Sequence, residues 1–468
     1  MAWIPHHGTY SVDTSNDPYN PEAGQIVFSQ NEPREMAQAE NEGSEVAPKS
    51  ESHASLAQYL DVAAFANLAT VQKNVEDESK WQVTGDPTEI AIQVFATRFG
   101  RSGLAAEWKQ LAEFPFDSSV KKMSVVCQHQ ATQAVHVFTK GAVERVIDSC
   151  TTVSFSSGNE TPMTAAYKAR ILSNMEALAR RGLRVLALAS RATDRAVSED
   201  DARHGRLKRD DFEHDLVFRG LIGIYDPPRP ESRPSVFKCH QAGIGVHMLT
   251  GDHPETARTI AIEVGILPSR MELVRADVAR NLVMTAHDFD QLSDDEIDRL
   301  PELPLVVARC SPTTKVRMIE ALHRRKRYVA MTGDGVNDSP SLQKANVGIA
   351  MGLGGSDVAK SASDIVLSDD NFASILNAVE EGRRIFDNVQ KFMLHVLAAN
   401  VAFVTTLLVG LVYKDGEGTS IFQITPVEIL FMLLVAGAFT ETGLGFESAS
   451  PDILNRPPQS VSASLPAL

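Results

Sequence analysis

The period of the apolar positions changes along the chain, and each change predicts a different kind of structure. Leu56 to Lys73 carries apolar residues at helical spacing. Between Phe114 and Ala189, alternating and continuous apolar runs of strand length surround short polar motifs. From residue 223 to 372 short apolar runs alternate with helical patterns, which predicts a parallel α/β sheet. Two long runs, Phe392–Tyr413 and Ile421–Thr440, are uncharged except for Glu428, and ~20 apolar residues suffice to cross a bilayer. A buried hairpin in a soluble core is the other structure such runs can form.

Polar stretches separate these regions. Gln30–Ser55 is acidic and reads as a solvated loop, and Lys414–Ser420 as a tight turn between the two long runs. Glu380–Lys391 reads as a charged helix running straight into the first of them. Arg383, Arg384, Lys391 and Arg456 flank the outer ends of the pair, which puts both ends in the cytoplasm. The expected division is 1–222, 223–372, a stalk helix 373–391, two transmembrane helices in 392–446 and a tail 447–468.

At 468 residues the chain exceeds one ordinary core. Its net charge of −15 argues against a nucleic-acid surface. The four cysteines are scattered without a Cys-x-x-Cys, so they read as reduced thiols rather than a zinc site or a disulfide frame. The opening Met1-Ala-Trp-Ile-Pro has no basic start and no apolar run of a signal peptide.

Candidate chemistry concentrates in Met331-Thr-Gly-Asp-Gly-Val-Asn-Asp-Ser-Pro340. Tyr328–Met331 reads as a buried parallel strand, and Asp338–Pro340 as a helix start with proline in its first turn. A strand ending in Gly-Asp-Gly places carboxylates where doubly wound sheets bind ligands, and Asp334 and Asp338 offer hard oxygens suited to Mg²⁺. An ordinary Asn/Asp/Gly turn has the same composition. Two further strands converge with it, however. Gly245–Asp252 ends in Thr-Gly-Asp before a helix, where the Thr250 hydroxyl and the Gly251 amide could hold a phosphoryl group. Leu305–Ala308 leads to Cys310–Lys315 at the next helix start, and Lys315 would neutralise charge on a transferring phosphoryl.

The first half carries its own motifs. Gly85-Asp-Pro-Thr-Glu89 is a helix start, with Asp86 as N-cap, Pro87 at the first position and Glu89 placed for a capping box. Phe114-Pro-Phe-Asp117, Lys121–Val125, Phe138-Thr-Lys-Gly-Ala142 and Gly182-Leu-Arg-Val-Leu-Ala-Leu-Ala189 follow. Singly, a lysine beside glycine is a turn, and an arginine before an apolar strand is a solvated end.

In this order and spacing the motifs resemble those of the P-type ATPases, cation pumps that phosphorylate themselves on an aspartate. The resemblance implies an α/β fold: a haloacid-dehalogenase-like parallel-sheet domain, an α+β nucleotide-binding domain and a C-terminal transmembrane hairpin. It implies ATP and Mg²⁺ as cofactors. Phe116 would stack on adenine, Glu89 would bond its edge, Lys121 and Lys140 would line the pocket, and Arg184 would meet the phosphates. Thr250, Gly251, Asp252, Lys315 and Asn337 would serve the phosphoryl transfer, with Asp334 and Asp338 on the metal.

The family's Asp-Lys-Thr-Gly-Thr pentad, whose aspartate accepts the γ-phosphoryl, does not occur in the sequence. In the family that aspartate ends a central strand, so its neighbours would be left with unpaired edges unless another segment fills the slot. In the spans, Asn400 matches a cation-ligating position of calcium pumps, but Phe403 stands where those have an acid. Leu433, Ala436 and Gly437 replace oxygen-bearing residues, and Glu441 is a candidate polar site. Trp3-Ile-Pro followed by Gly8-Thr-Tyr-Ser11 looks most like the fungal sodium/potassium-efflux branch. The expectation is a truncated pump of that type in the plasma membrane. Its partners would be ATP, a monovalent cation, the lipid bilayer and a full-length pump, with no nucleic acid. A regulatory nucleotide-binding membrane protein derived from such a pump, a calcium-transporting P-type ATPase and a soluble phosphohydrolase are the alternatives.

Overall fold

Strands that bury both faces build the first of two units, Met1–Pro227 with Asp252–Ile260. The computed structural model describes all residues except 13–16, 37–43, 46–53, 74–80, 102–106, 118–119, 156–158, 194–206, 271–278, 280, 415, 419, 422–423 and 460–468. Most of the expected loop Gln30–Ser55, parts of the turn Lys414–Ser420 and the end of the tail lie outside the described residues.

One sheet holds β1 (Ala2–Ile4), β2 (Gly8–Val12), β3 (Ile26–Ser29), β4 (Ser44–Glu45), β7 (Trp108–Asp117), β8 (Lys122–His129), β9 (Val135–Ala142), β12 (Arg184–Thr193) and β13 (Leu216–Ile224). They run in the order β4-β3-β2-β1-β13-β12-β9-β8-β7. Cys150–Ser154 (β10) lies parallel to β13 and carries Glu160–Pro162 (β11) on its other side. In β1, Ala2 and Ile4 face a core shared with α1 (Ala54–Phe65) and α2 (Pro87–Arg98), whereas Trp3 faces a second core with α3 (Val143–Asp148) and α4 (Ala165–Ala179). Leu188 of β12 joins the first core, and Ala187 and Ala189 the second. A strand between two apolar layers has no polar face, so β12 and β13 read as continuous runs. Strand β13 carries this sheet past residue 222, where the boundary was expected.

The helix expected over Leu56–Lys73 stops at Phe65. Asn67 ends it by donating to the Ala63 carbonyl at 3.4 Å and accepting from the Ala69 amide at 2.9 Å. The chain then turns, and β5 (Thr70–Lys73) pairs with β6 (Trp81–Thr84).

The second unit is Pro228–Gly251 with Ala261–Leu468. Its parallel strands form two three-stranded sheets. One runs β14-β16-β15, from β14 (Met248–Leu249), β15 (Val283–Thr285) and β16 (Val306–Ala308). The other runs β17-β18-β19, from β17 (Ala330–Gly333), β18 (Val347–Met351) and β19 (Ile365–Leu367). All of β16 and the middle of β18 are buried, but β14 is half-buried and β17 runs from exposed to half-buried. Two strand expectations shift as a result. The ladder at β14 spans only Met248 and Leu249, because β16 offers a partner on one side for two residues. The run expected at Tyr328–Met331 pairs as Ala330–Gly333, and Tyr328 is exposed.

Helix α7 (Ala373–Val412) is continuous for 40 residues through the junction of charged stalk and apolar run. The second apolar helix, α8 (Pro426–Gly445), begins later than Ile421 because Thr425 caps it in a reciprocal box with Glu428, which accounts for the one charge in that run. A π-type turn covers Met432–Gly437. Beyond it the chain is tied back to α7. The buried Asn388 amide donates to the Gly445 and Glu447 carbonyls, Arg383 to those of Ile453 and Arg456, and Lys391 pairs with Glu447 at 2.6 Å.

Candidate functional site

In the first unit, Asp86 caps α2 as its sequence predicts, accepting from the Thr88 amide at 2.9 Å with Pro87 behind it. Glu89 does not close the expected capping box. Its carboxylate takes the Lys140 ammonium at 2.7 Å and the Leu68 amide at 3.1 Å. The reason is burial. Loss of water pushes the Lys140 ammonium's pKa down, and Glu89 and Asp86 pull it back up. A nearly buried cation holds that carboxylate more strongly than an exposed cap can.

Lys140 lies on β9 opposite Met123 of β8, and Gly141 follows opposite Lys122. A Cβ on Gly141 would fall 2.4 Å from the Lys121 carbonyl oxygen, so the lysine–glycine order lets β9 pass against that turn. Lys121 itself has φ 57°, donates to the Asp117 carbonyl at 2.6 Å and accepts from the Ala142 amide at 3.0 Å. Its neighbour Lys122 turns inward to Glu213 at 3.2 Å and Ser149 at 2.9 Å. Phe116 is 60 % exposed, a large aromatic face open to solvent on β7.

Arg184 stands apart from this group. It opens β12, where Leu188 is the residue opposite Lys140, and four residues of strand separate them by ~13 Å. Its guanidinium bonds Asp252 at 2.9 Å, within the same unit. Sequence reasoning missed Arg209. It donates to the carbonyls of Pro115 and Lys122 and to Glu213, with its guanidinium 5.8 Å from the Phe114 ring. It braces the strand that presents Phe116, but it sits in a polar run without periodicity.

In the second unit, Lys315 and Asp338 meet at 2.6 Å, both side chains largely buried. Lys315 lies in the first turn of α5 (Pro312–Arg324), which Ser311 caps in a reciprocal box with Thr314. Asp338 precedes α6 (Ser339–Lys344) and folds back onto the end of β17. A Cβ on Gly333 would sit 2.6 Å from the Asp338 Cβ, so the first glycine of Gly-Asp-Gly makes room for that carboxylate. The direct partner of Lys315 is thus Asp338. Asp334 is exposed at the same strand end, its carbonyl accepting from the Ser356 amide at 2.8 Å, and Asn337 is exposed in the turn Val336–Asp338. Thr250 is joined to the group through its backbone. Its amide donates to Val307 at 3.0 Å and its carbonyl accepts from Cys310 at 2.9 Å, just before the helix of Lys315. Gly251 has open space where a Cβ would stand.

Among the described residues, no three His, Cys, Asp or Glu side chains cluster as a metal cage. Asp334 and Asp338 supply two hard carboxylates, which fits Mg²⁺, an ion that keeps waters and shares its sites with phosphate oxygens.

The nucleotide-side motifs, the split parallel sheets with their lysine–aspartate pair and the two apolar helices define one class. Along nearly its whole length the chain is similar to P-type ATPases. The family model for the P-type ATPase cytoplasmic domain N matches residues 55–231. Sodium/potassium exporting P-type ATPase 2 of Saccharomyces cerevisiae is 47 % identical over 98 % of this chain and 46 % of its own length. Sodium/potassium exporting P-type ATPase cta3 of Schizosaccharomyces pombe is 48 % identical over 98 % of the chain and 43 % of its own. Calcium-transporting ATPase 1 of Bacillus cereus is more distant, 38 % identical over 82 % of the chain. The chain spans less than half the length of the curated relatives it matches. P-type ATPases in general use ATP and Mg²⁺.

Proposed function

We propose that this chain is the ATP-binding and phosphoryl-site part of a pump that exports sodium or potassium. In this reading the hairpin of α7 and α8 enters the plasma membrane with both ends cytoplasmic. The observation that carries the reading is the Lys315–Asp338 pair at the carboxyl ends of parallel strands, where α/β sheets bind ligands. ATP would lie with its adenine on Phe116, its edge toward Glu89, and its charge toward Lys121, Lys140 and Arg184. Asp334 and Asp338 would hold Mg²⁺, which neutralises phosphate oxygens when bound. Lys315, Thr250 and Gly251 would receive the transferring group, with Asn337 beside them.

The pentad that carries the acceptor aspartate does not occur in the sequence, so no residue of this chain is assigned that role. Incubated alone with labelled ATP and Mg²⁺, the chain should form no hydroxylamine-labile phosphoprotein. Titration calorimetry of the full chain in detergent tests the nucleotide site. Phe116→Ala should weaken ATP binding by ~1–2 kcal/mol, the scale of a lost aromatic stack. Equal affinity in the two proteins would remove Phe116 from the site.

A further inference from the structure

We propose that Arg209 is a positioning residue for nucleotide recognition: held by Glu213, it fixes a β-bulge that turns Phe116 onto the face of the sheet where Glu89 and Lys140 meet. The inference rests on the reading that Phe116 stacks on the base, and it adds what puts the ring there.

The ladder between β7 and β8 slips at this point. Phe114 pairs with Ser124 and Asp117 with Lys122, so three steps along β7 match two along β8. Pro115 and Phe116 thus share one partner position, Met123, as in a β-bulge. Pro115 has no amide to give to the ladder, which suits it to that place. The extra residue decides which way the ring points. Facing residues share a side of the sheet. Ser124 bonds Thr139 at 2.9 Å on the side of Phe114, and Met123 stands opposite Lys140 on the other. Regular alternation would place Phe116 with Phe114. The slip returns Asp117 to that side, so Phe116 falls on the side of Lys140 and its partner Glu89.

A bulge disrupts the ladder locally, and Arg209 bridges the disruption. Its guanidinium donates to the Pro115 carbonyl on one strand and to the Lys122 carbonyl on the other, the latter at 3.1 Å, so one planar fork spans the slip. It works from the side of Phe114, with its guanidinium 5.8 Å from that ring. Glu213, only 7 % exposed, orients it. One carboxylate oxygen accepts from Arg209 at 3.1 Å and from Ser124 at 2.8 Å, and the other pairs with Lys122 at 3.2 Å. Phe212 is fully buried against Phe114 and anchors the turn that carries both Arg209 and Glu213. Arg209 therefore acts on Phe116 through the backbone of the bulge, from behind the face that would take the nucleotide.

The test uses the full chain in detergent, with ATP as the probe. Arg209→Lys keeps a cation beside Glu213 but cannot span two carbonyls, so the fold is kept and the bulge is loosened. ATP affinity should fall by about tenfold. Without nucleotide, amide exchange at Asp117 and Lys121 should speed up by about tenfold or more, while exchange at Val137 stays unchanged. In a Phe116→Ala background the same substitution should alter ATP affinity by less than about twofold, because the ring it positions is gone. An Arg209→Lys protein that binds ATP as the wild type does overturns the proposal, and so does a loss that is undiminished in the Phe116→Ala background. Exchange that rises equally at Val137 overturns it too, since Arg209 then holds the sheet as a whole. Failure of the nucleotide reading shows separately, as equal ATP affinity in the wild type and Phe116→Ala before Arg209 is changed.

Discussion

Both units hold a lysine ammonium against a carboxylate at the end of a sheet, but the sheets around the two pairs differ. Lys140 rises from β9, which has β8 on one side and β12 on the other, and Glu89 is fixed in turn by the Leu68 amide. Lys315 and Asp338 instead join the helix that follows one three-stranded sheet to the end of another, and among the described residues β14 and β17 each pair on one side. In the first case the scaffold already fixes the positions of both groups. In the second the pair itself is part of what links the two sheets. The positions of Glu89 and Lys140 are therefore the more firmly preorganised of the two pairs.

The largest expected consequence is in the first unit. Glu89→Gln leaves a nearly buried ammonium without its anion and should destabilise the first unit by about 3 kcal/mol in chemical denaturation. Adding Lys140→Met should return most of that loss, since an apolar chain of similar length needs no partner. If Glu89→Gln costs nothing, the pair is not the anchor described here.

In the second unit the effects should be smaller and metal-dependent. Lys315→Ala leaves Asp338 unbalanced and should lower the second unit's stability by about 1–2 kcal/mol in chelator, with recovery in millimolar Mg²⁺. Asp334→Ala removes an exposed carboxylate and should change the metal-free stability by less than about 0.5 kcal/mol. It should also remove most of the Mg²⁺-induced rise in melting temperature. A full rise in that variant would make the Gly-Asp-Gly segment an ordinary turn.

Much of this contrast was legible in the residues. Asp86 and Pro87 announced the start of α2, because a cap is a local interaction written in adjacent positions. The order Lys140-Gly141 was visible too, yet its reason, the Lys121 carbonyl 2.4 Å from a would-be Cβ, arises from a turn some twenty residues away in sequence. Glu89 misled because local capping and a distant buried lysine compete for one carboxylate, and sequence shows only the local claim. Arg209 was invisible for the same reason, since its carbonyl partners lie on β7 and β8. The two-residue β14 was overcalled from an apolar run that has the composition of a strand but a partner on one side.

Helix α7 has a mechanical consequence. Forty residues at 1.5 Å each make a rod of ~60 Å, about twice the thickness of a bilayer's hydrocarbon core. No proline interrupts it, and the bonds from Arg383, Asn388 and Lys391 lash its outer half to the segment returning from α8. A tilt of ~5° at one end therefore displaces the other by ~5 Å without melting a turn. The hairpin would swing as a single lever whose stroke is set by helix length.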